Sequence, residues 1–351
     1  MPCAQPNIAA PRARFMNMDL VRYVLALAVV VAHFNLVFGS NYFWPLSSGT
    51  AVGAFFGLSG FLVYGSYLRR PSFWPYLKSR MRRIMPSYYF VVMGCALGLS
   101  LLSSLPASEY FTSGQFWKYL LSNACFMNFI EPDLPGVFQD NTMSCVNGSL
   151  WTLKVEWMLY LSVPLFFWLV KRFKWNIIYA VSAIFVLSVA YRVGMQHAYE
   201  TTGREIFHTL SYQFGGQLVY FYSGVLYYHM LDTIKRHKVV CLLIGAALCL
   251  AYFSLAWLPE SIATQSLGAL LFPAGIVLIC VVLSVCKSLG QWIAQLGNCS
   301  YEIYLFHFPI LQAFFALGLA QHLPLPMVFS ICIVTVFLIS FAFNRLINTH
   351  K

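Results

Sequence analysis

The chain has 351 residues, 60% of them hydrophobic and only 9% charged, with a formal net charge of +11. Soluble domains carry roughly 25% charged residues, so a water-soluble globular fold is excluded and hydrocarbon is the solvent that accommodates the excess. The aromatic share of 17% fits Trp and Tyr at membrane interfaces, and the positive charge follows loop position, a topology signal that needs no nucleic acid.

In chain order, ten apolar stretches stand out, at approximately 20–38, 50–68, 86–104, 150–170, 176–193, 212–230, 239–257, 263–285, 300–319 and 325–344. Each approaches the about 20 residues a helix needs to cross hydrocarbon. The stretch at 212–230 is rich in Tyr, Gly and Ser and suits a helix lining a cavity. The first run, Leu20 to Phe38, is too long for a signal-peptide core and lacks a small-residue cleavage site, so it is expected as a retained span. The expected fold class is all-α, a polytopic membrane helix bundle of about ten transmembrane helices. One membrane domain is expected over 17–345, between a short segment at 1–16 and a tail at 346–351, with no appended soluble domain. No convincing internal repeat is present, which counts against transporter folds built from paired halves.

Lys and Arg gather in cytoplasmic loops. The N-terminus (Arg12, Arg14), the second loop (Arg69, Arg70, Lys78, Arg80, Arg82, Arg83) and the fourth (Lys171, Arg172, Lys174) are basic. So are the sixth (Lys235, Arg236, Lys238), the eighth (Lys287) and the tail (Arg345, Lys351). The first and ninth loops have neither Lys nor Arg, and the long third loop, Leu105 to Gly148, sets Glu109, Glu131, Asp133 and Asp140 against Lys118. The seventh has Glu260; the fifth is mixed, with Arg192 and Arg204 beside Glu200 and Glu205. This alternation predicts ten spans with both termini cytoplasmic.

Ionisable residues inside spans are costly and point to function. The candidates are His33, Glu156, and Glu302 with His307; Lys154 lies close enough to a span end to reach the interface. His33 follows Arg22 by eleven residues, which at about 100° per residue leaves both within about 20° of one helical face, about 16 Å apart along the axis. Spacing alone leaves two readings open: a neutral structural histidine with an orienting arginine, or a reactive imidazole beneath a cation at the cytoplasmic mouth.

The stretch from Arg69 to Arg83, interleaved with Phe73, Trp74 and Tyr76, suits an interfacial segment beside anionic lipid. It equally suits recognition of a phosphorylated ligand by arginine. Phosphate loops, dinucleotide fingerprints, zinc-protease motifs and nucleophile elbows are absent. The ten cysteines form no Cys-x-x-Cys pair, and no metal is expected. Gly57-Leu58-Ser59-Gly60 suits close helix packing. Asn147-Gly148-Ser149 is a nominal glycosylation sequon, and Cys125 and Cys145 would pair only if their loop faces an oxidising compartment.

Five elements in order then carry a family resemblance. They are Met18-Asp19-Leu20-Val21-Arg22 through His33; Ala54-Phe55-Phe56-Gly57-Leu58-Ser59-Gly60-Phe61-Leu62; and Arg80-Met81-Arg82-Arg83-Ile84-Met85-Pro86-Ser87-Tyr88. Gly148-Ser149-Leu150-Trp151-Thr152-Leu153-Lys154-Val155-Glu156 follows, then Leu296-Gly297-Asn298-Cys299-Ser300-Tyr301-Glu302-Ile303-Tyr304-Leu305-Phe306-His307-Phe308-Pro309. Together these resemble the acyltransferase-3 family of membrane O-acyltransferases along nearly the whole chain. Two departures stand out: Lys154 places a charge inside the Trp-Thr-Leu element, where it bears on acceptor choice, and the C-terminal hydrolase-like domain of many relatives is not expected here.

The resemblance implies transfer of an acyl group, usually acetyl, from cytoplasmic acyl-CoA to a hydroxyl of an envelope polysaccharide or lipid-linked glycan. It implies a bacterial inner membrane setting and membrane lipids as surroundings. Arg22, Arg80 and Arg83 are then expected to hold the CoA phosphates, with His33 and Glu156 catalytic. Ser149, Trp151, Tyr304 and His307 are expected to bind substrate, with His307 on the donor side or in a structural role. An imidazole titrating ordinarily near about pH 6.5 suits proton abstraction from a hydroxyl. His33 as general base and His33 as acyl carrier both remain open, as does Glu156 as orienter of His33 or as a ligand of acceptor hydroxyls. Two other readings keep the same residues: an acyltransferase with a lipid or small-molecule acceptor, and a proton-coupled transporter.

Overall fold

The computed structural model describes residues 16–258, 261–285 and 298–348. Arg12, Arg14, Glu260, Lys287, Leu296, Gly297 and Lys351, used above, lie outside the described residues. The protein is all-α and polytopic, and each of the ten apolar stretches is helical. We label these helices α1 (Met16–Phe38), α2 (Ser48–Arg69), α3 (Phe73–Gly98), α4 (Trp151–Arg172) and α5 (Ile177–Thr202). They continue as α6 (Phe214–His229), α7 (Lys238–Ser254), α8 (Ile262–Ser284), α9 (Ser300–Ala316) and α10 (Leu325–Asn348).

Seven of them, α1 to α5, α8 and α10, are long and apolar enough to cross a membrane. The other three, α6, α7 and α9, have 16, 17 and 17 residues, about 24–26 Å at 1.5 Å per residue, slightly short of a ~30 Å hydrocarbon core. Lipid-type exposure is plain on α5 and α10, where Val186, Leu187 and Leu338 are all more than 60% exposed.

Three boundaries differ from the sequence expectation. The basic stretch does not form a loop, because α3 begins at Phe73 and carries Lys78 to Arg83 within its first turns. The third loop contains two short helices, Ala107–Thr112 and Gly114–Ala124, the second started by Ser113 accepting from the Gln115 amide. Helix α5 runs on to Thr202 and stops where Gly203 adopts a left-handed conformation with φ 67°. Arg192, expected in the fifth loop, therefore sits inside a helix.

Contacts divide the chain into two compact units. The first contains residues 1–22, 53–77 and 159–296. Within it, α2 and α6 cross at glycines: a methyl at Gly60 would collide with the Phe221 carbonyl, and one at Gly224 with the Gly57 carbonyl. The Gly-x-x-Gly of α2 thus serves close packing, as expected. The second unit contains 23–52, 78–158 and 297–351. Its core joins α1, α9 and α10 through Phe34, Val37, Leu311, Val328 and Cys332, all fully buried.

Each unit also repairs a proline break. A proline cannot donate to the carbonyl four residues earlier, and in a membrane a neighbouring group must do so instead. Pro164 in α4 orphans the Tyr160 carbonyl, which accepts from the Tyr76 hydroxyl at 2.8 Å. Pro309 in α9 orphans the Leu305 carbonyl, which accepts from Asn147 Nδ2 at 2.9 Å.

Candidate active site

The second unit brings α1 and α9 together at two histidines. His33 Nδ1 lies 2.7 Å from His307 Nε2. The ring planes are 6° apart with centroids 5.0 Å apart, a separation that matches the N···N distance plus the two ring radii. The rings therefore meet edge to edge in a shared N–H···N bond, with Phe308 set across His33 at 84°.

The direction of that bond follows from its surroundings. His307 Nδ1 lies 3.1 Å from the Ile303 carbonyl, and a carbonyl only accepts, so neutral His307 carries its proton on Nδ1. Its Nε2 is then the acceptor, and His33 donates from Nδ1. His33 Nε2 is left with a lone pair, the state required of a base or a nucleophile. His307 is fully buried, while His33 is only partly so. Phe34, next to His33, and Leu311, one turn beyond His307, belong to the apolar core of this unit.

The Ser-Leu-Trp-Thr element is stitched to α9 around these rings. Asn147 Oδ1 accepts from the Ser149 amide and hydroxyl at 3.1 and 2.6 Å. The Tyr304 hydroxyl lies 2.9 Å from Thr152 Oγ1, and the Ser149 hydroxyl reaches the Tyr304 carbonyl at 3.3 Å. Further along α9, Gln312 Nε2 donates to the Met143 and Cys145 carbonyls. The loop that precedes α4 is thus fastened at Tyr304, Leu305 and Gln312.

At the start of α9 lies a cavity of about 130 Å³. It is lined by Arg82, Arg83, Pro86 and Ser87 of α3, by Asn298, Tyr301 and Glu302, and by Asn344 of α10. Glu302, 7% exposed, accepts from the Ser87 hydroxyl at 3.1 Å and from Asn344 Nδ2 at 3.2 Å. Two arginines and one carboxylate leave the cavity a single net positive charge. It is smaller than the ~300–1,000 Å³ of a small-molecule site, so it suits one anionic group rather than a whole nucleotide. Glu302 and His307 are five residues apart on α9, about 7.5 Å along its axis.

The expected site residues divide accordingly. His33, His307, Ser149 and Tyr304 come together, and Glu156, half-buried on α4, acts electrostatically on Tyr304. The Nδ1 of His33, where Glu156 was one expected orienter, is engaged by His307. Trp151 is half-buried at the first position of α4. Arg83 lines the cavity, whereas Arg80 donates to Ser79 Oγ at 3.1 Å and is not among the cavity residues. Arg22, 9% exposed, belongs to the first unit. Lys154 Nζ lies over the Phe129 ring, 4.5 Å from its centroid. Among the described residues no group of three His, Cys, Asp or Glu side chains is placed to hold a metal ion.

Sequence reasoning missed Arg82 and the role of Asn147. Asn147 is 6% exposed with both ends of its amide engaged, so the sequon is a buried clamp. The signal lay in Pro309, whose missing N–H demands a donor from elsewhere. Cys125 and Cys145 are both free thiols.

The paired histidines lie in a chain whose apolar helices are long enough to cross a membrane, and a family model described as an acyltransferase domain matches residues 16–345. The chain belongs to this acyltransferase-3 family of membrane enzymes. It is 27% identical over 329 residues to Nodulation protein 10 of Rhizobium leguminosarum bv. viciae, covering 87% of this chain and 85% of that one. It is 27% identical over 149 residues to an O-acetyl transferase of Shigella phage Sf6, covering 41% of this chain and 43% of the phage protein. Protein 2 in picA locus of Rhizobium radiobacter is 39% identical over 84 residues, 22% of this chain and 42% of that one. No solved structure matches.

Proposed function

We propose that this enzyme is an O-acetyltransferase of a bacterial inner membrane. It takes an acyl group, most simply acetyl, from cytoplasmic acyl-CoA and delivers it to a hydroxyl of an envelope polysaccharide or lipid-linked glycan. The observation that carries the reading is the free Nε2 lone pair of His33, fixed by the proton order His33 Nδ1–H to His307 Nε2. The phage relative, named as an O-acetyl transferase, supports the acyl group and the atom that receives it.

In this reading Arg83, with Arg82, binds a phosphate of the donor in the cavity at the start of α9. Arginine's planar fork suits phosphate oxygens. The acceptor hydroxyl transfers its proton to His33 Nε2 as its oxygen bonds the thioester carbonyl carbon. The C–S bond then breaks, and the CoA sulfur leaves with the proton returned from His33. The positive charge that develops on His33 is shared along the N–H···N bond to His307. The route through an acyl-imidazole would use the same lone pair, and acid-quench mass spectrometry for an acyl adduct on His33 separates the two. Tyr304, Ser149 and Glu156 line the acceptor side.

The test is to incubate membranes containing the protein with acetyl-CoA labelled in its acetyl group and to follow the label. Recovery in the surface-glycan fraction as an alkali-labile ester supports the proposal. Recovery only in lipid or soluble small molecules moves the acceptor class, and an absence of transfer overturns the reading.

A further inference from the structure

The first unit holds a cation that acyl transfer does not use. Helix α5 carries Ser188, Arg192 and Gln196 at four-residue spacing, and all three are buried, at 2%, 4% and 7% exposure. The two outer members are satisfied. Ser188 Oγ donates to the Gly215 carbonyl at 2.6 Å and accepts from the Val219 amide at 3.0 Å, which fixes α6 against α5. Gln196 Oε1 accepts from the Ser266 hydroxyl at 2.7 Å, which fixes α8. Arg192 between them differs. Its guanidinium lies over the Tyr212 and Tyr220 rings, 4.9 and 5.7 Å from their centroids. Its Nε is fully buried without a hydrogen-bond partner, and among the described residues neither a hydrogen bond nor an ion pair reaches it.

Aromatic faces attract a cation but accept none of its five N–H groups in ordinary hydrogen bonds. A buried charge with unused donors is costly in a membrane protein and is retained where it meets a partner. The missing counterpart is negative, accepts several hydrogen bonds, and approaches a planar donor fork. Phosphate and carboxylate groups have that chemistry.

We propose that Arg192, framed by Tyr212 and Tyr220, is an oxyanion-binding subsite of the first unit, taking the phosphate or carboxylate of a bound amphiphile or soluble ligand. Ser188 and Gln196 hold the helices that frame it, and the rings keep the guanidinium in place. The subsite stands apart from the acyl-transfer reading, since none of its residues serves that chemistry.

The test uses the full-length protein in neutral detergent, with the thermal midpoint followed against inorganic phosphate, acetate and phosphatidylglycerol, each compared with chloride at equal ionic strength. The wild type is expected to rise with at least one probe. Response to phosphatidylglycerol alone identifies a lipid headgroup as the source, and response to phosphate or acetate a soluble one. Arg192→Met removes the charge at similar length: it is expected to be at least as stable without probe and to bind the effective probe about tenfold more weakly, as for loss of one charged hydrogen-bonding group. Arg192→Lys keeps charge without the fork and is expected to fall between. Equal shifts in wild type and Arg192→Met would assign the effect to surface basic residues and overturn the subsite. So would no wild-type response to any probe, or failure of both variants to fold.

Discussion

Helices α9 and α5 both bury polar side chains, and they treat them differently. On α9, Glu302, His307 and Gln312 all find hydrogen-bond partners on other segments of the second unit: Ser87 and Asn344, His33, and the Met143 and Cys145 carbonyls. On α5, Ser188 and Gln196 are satisfied in the same way, but among the described residues Arg192 meets only aromatic faces. A hydrogen-bonded polar group in a membrane protein is an organised part of the fold, and its chemistry is read from what the partner leaves free. On α9 the partner leaves the Nε2 of His33. On α5 the described residues leave the donors of Arg192, and the oxyanion subsite is proposed on that observation.

The comparison breaks most visibly at His307. Replacing it with Phe keeps a ring beside His33 but removes the acceptor that holds the proton on Nδ1. Transfer is expected to fall by about 10²-fold, the lower range for a positioned proton-transfer group, with the protein still folded in detergent. Full activity in His307→Phe would mean that His33 sets its own tautomer. At the cavity the expectation is smaller and of a different kind. Arg83→Ala should raise KM for acetyl-CoA about tenfold, one charge-assisted hydrogen bond's worth, with kcat little changed. A fall in kcat alone would place Arg83 outside donor binding.

Asn147→Leu probes the scaffold of α9 and not its chemistry. The Leu305 carbonyl would lose its donor beside Pro309, at a cost of about 1–3 kcal/mol, seen as a lower thermal midpoint. Activity per folded molecule should drop less than in His307→Phe. An unchanged midpoint would show that water or another donor takes the place of Asn147. The smallest effect is in the third loop. Burial, with the Asp133 carboxylate second, pushes the Cys145 thiol up to about 11. At pH 8 it is almost wholly protonated and becomes reactive only as pH approaches that value, because the thiolate is the nucleophile. The exposed Cys125 should take a maleimide well before Cys145 does, and equal rates would contradict the burial of Cys145.

Much of this was legible in the residues. Apolar runs located α1 to α10, seven of which are long and apolar enough to cross a membrane, because lipid imposes a length on the sequence directly. His33 stood out because a titratable group in a span is rare. The pairing with His307 was not legible: the two are 274 positions apart, and only packing sets which side chain faces which. Glu156 was an equally reasonable orienter from spacing alone. Arg192 was read as a loop charge because the apolar run fades after 193, yet the helix continues to Thr202, with Gln196 buried against Ser266 of α8 and the residues beyond it largely exposed. Asn147 looked like a sequon, since its real signal, a proline four residues after an otherwise orphaned carbonyl, lies far along the chain on α9.

The central claim is that His33 Nε2 accepts the proton of the acceptor hydroxyl. Its most direct measurement is label transfer from acetyl-CoA into the glycan fraction by membranes holding equal amounts of wild-type protein and His33→Ala. The account predicts that the variant is present, folded and still binds acetyl-CoA, while ester label falls by at least about 10²-fold. Label recovered at the wild-type rate from His33→Ala would contradict it.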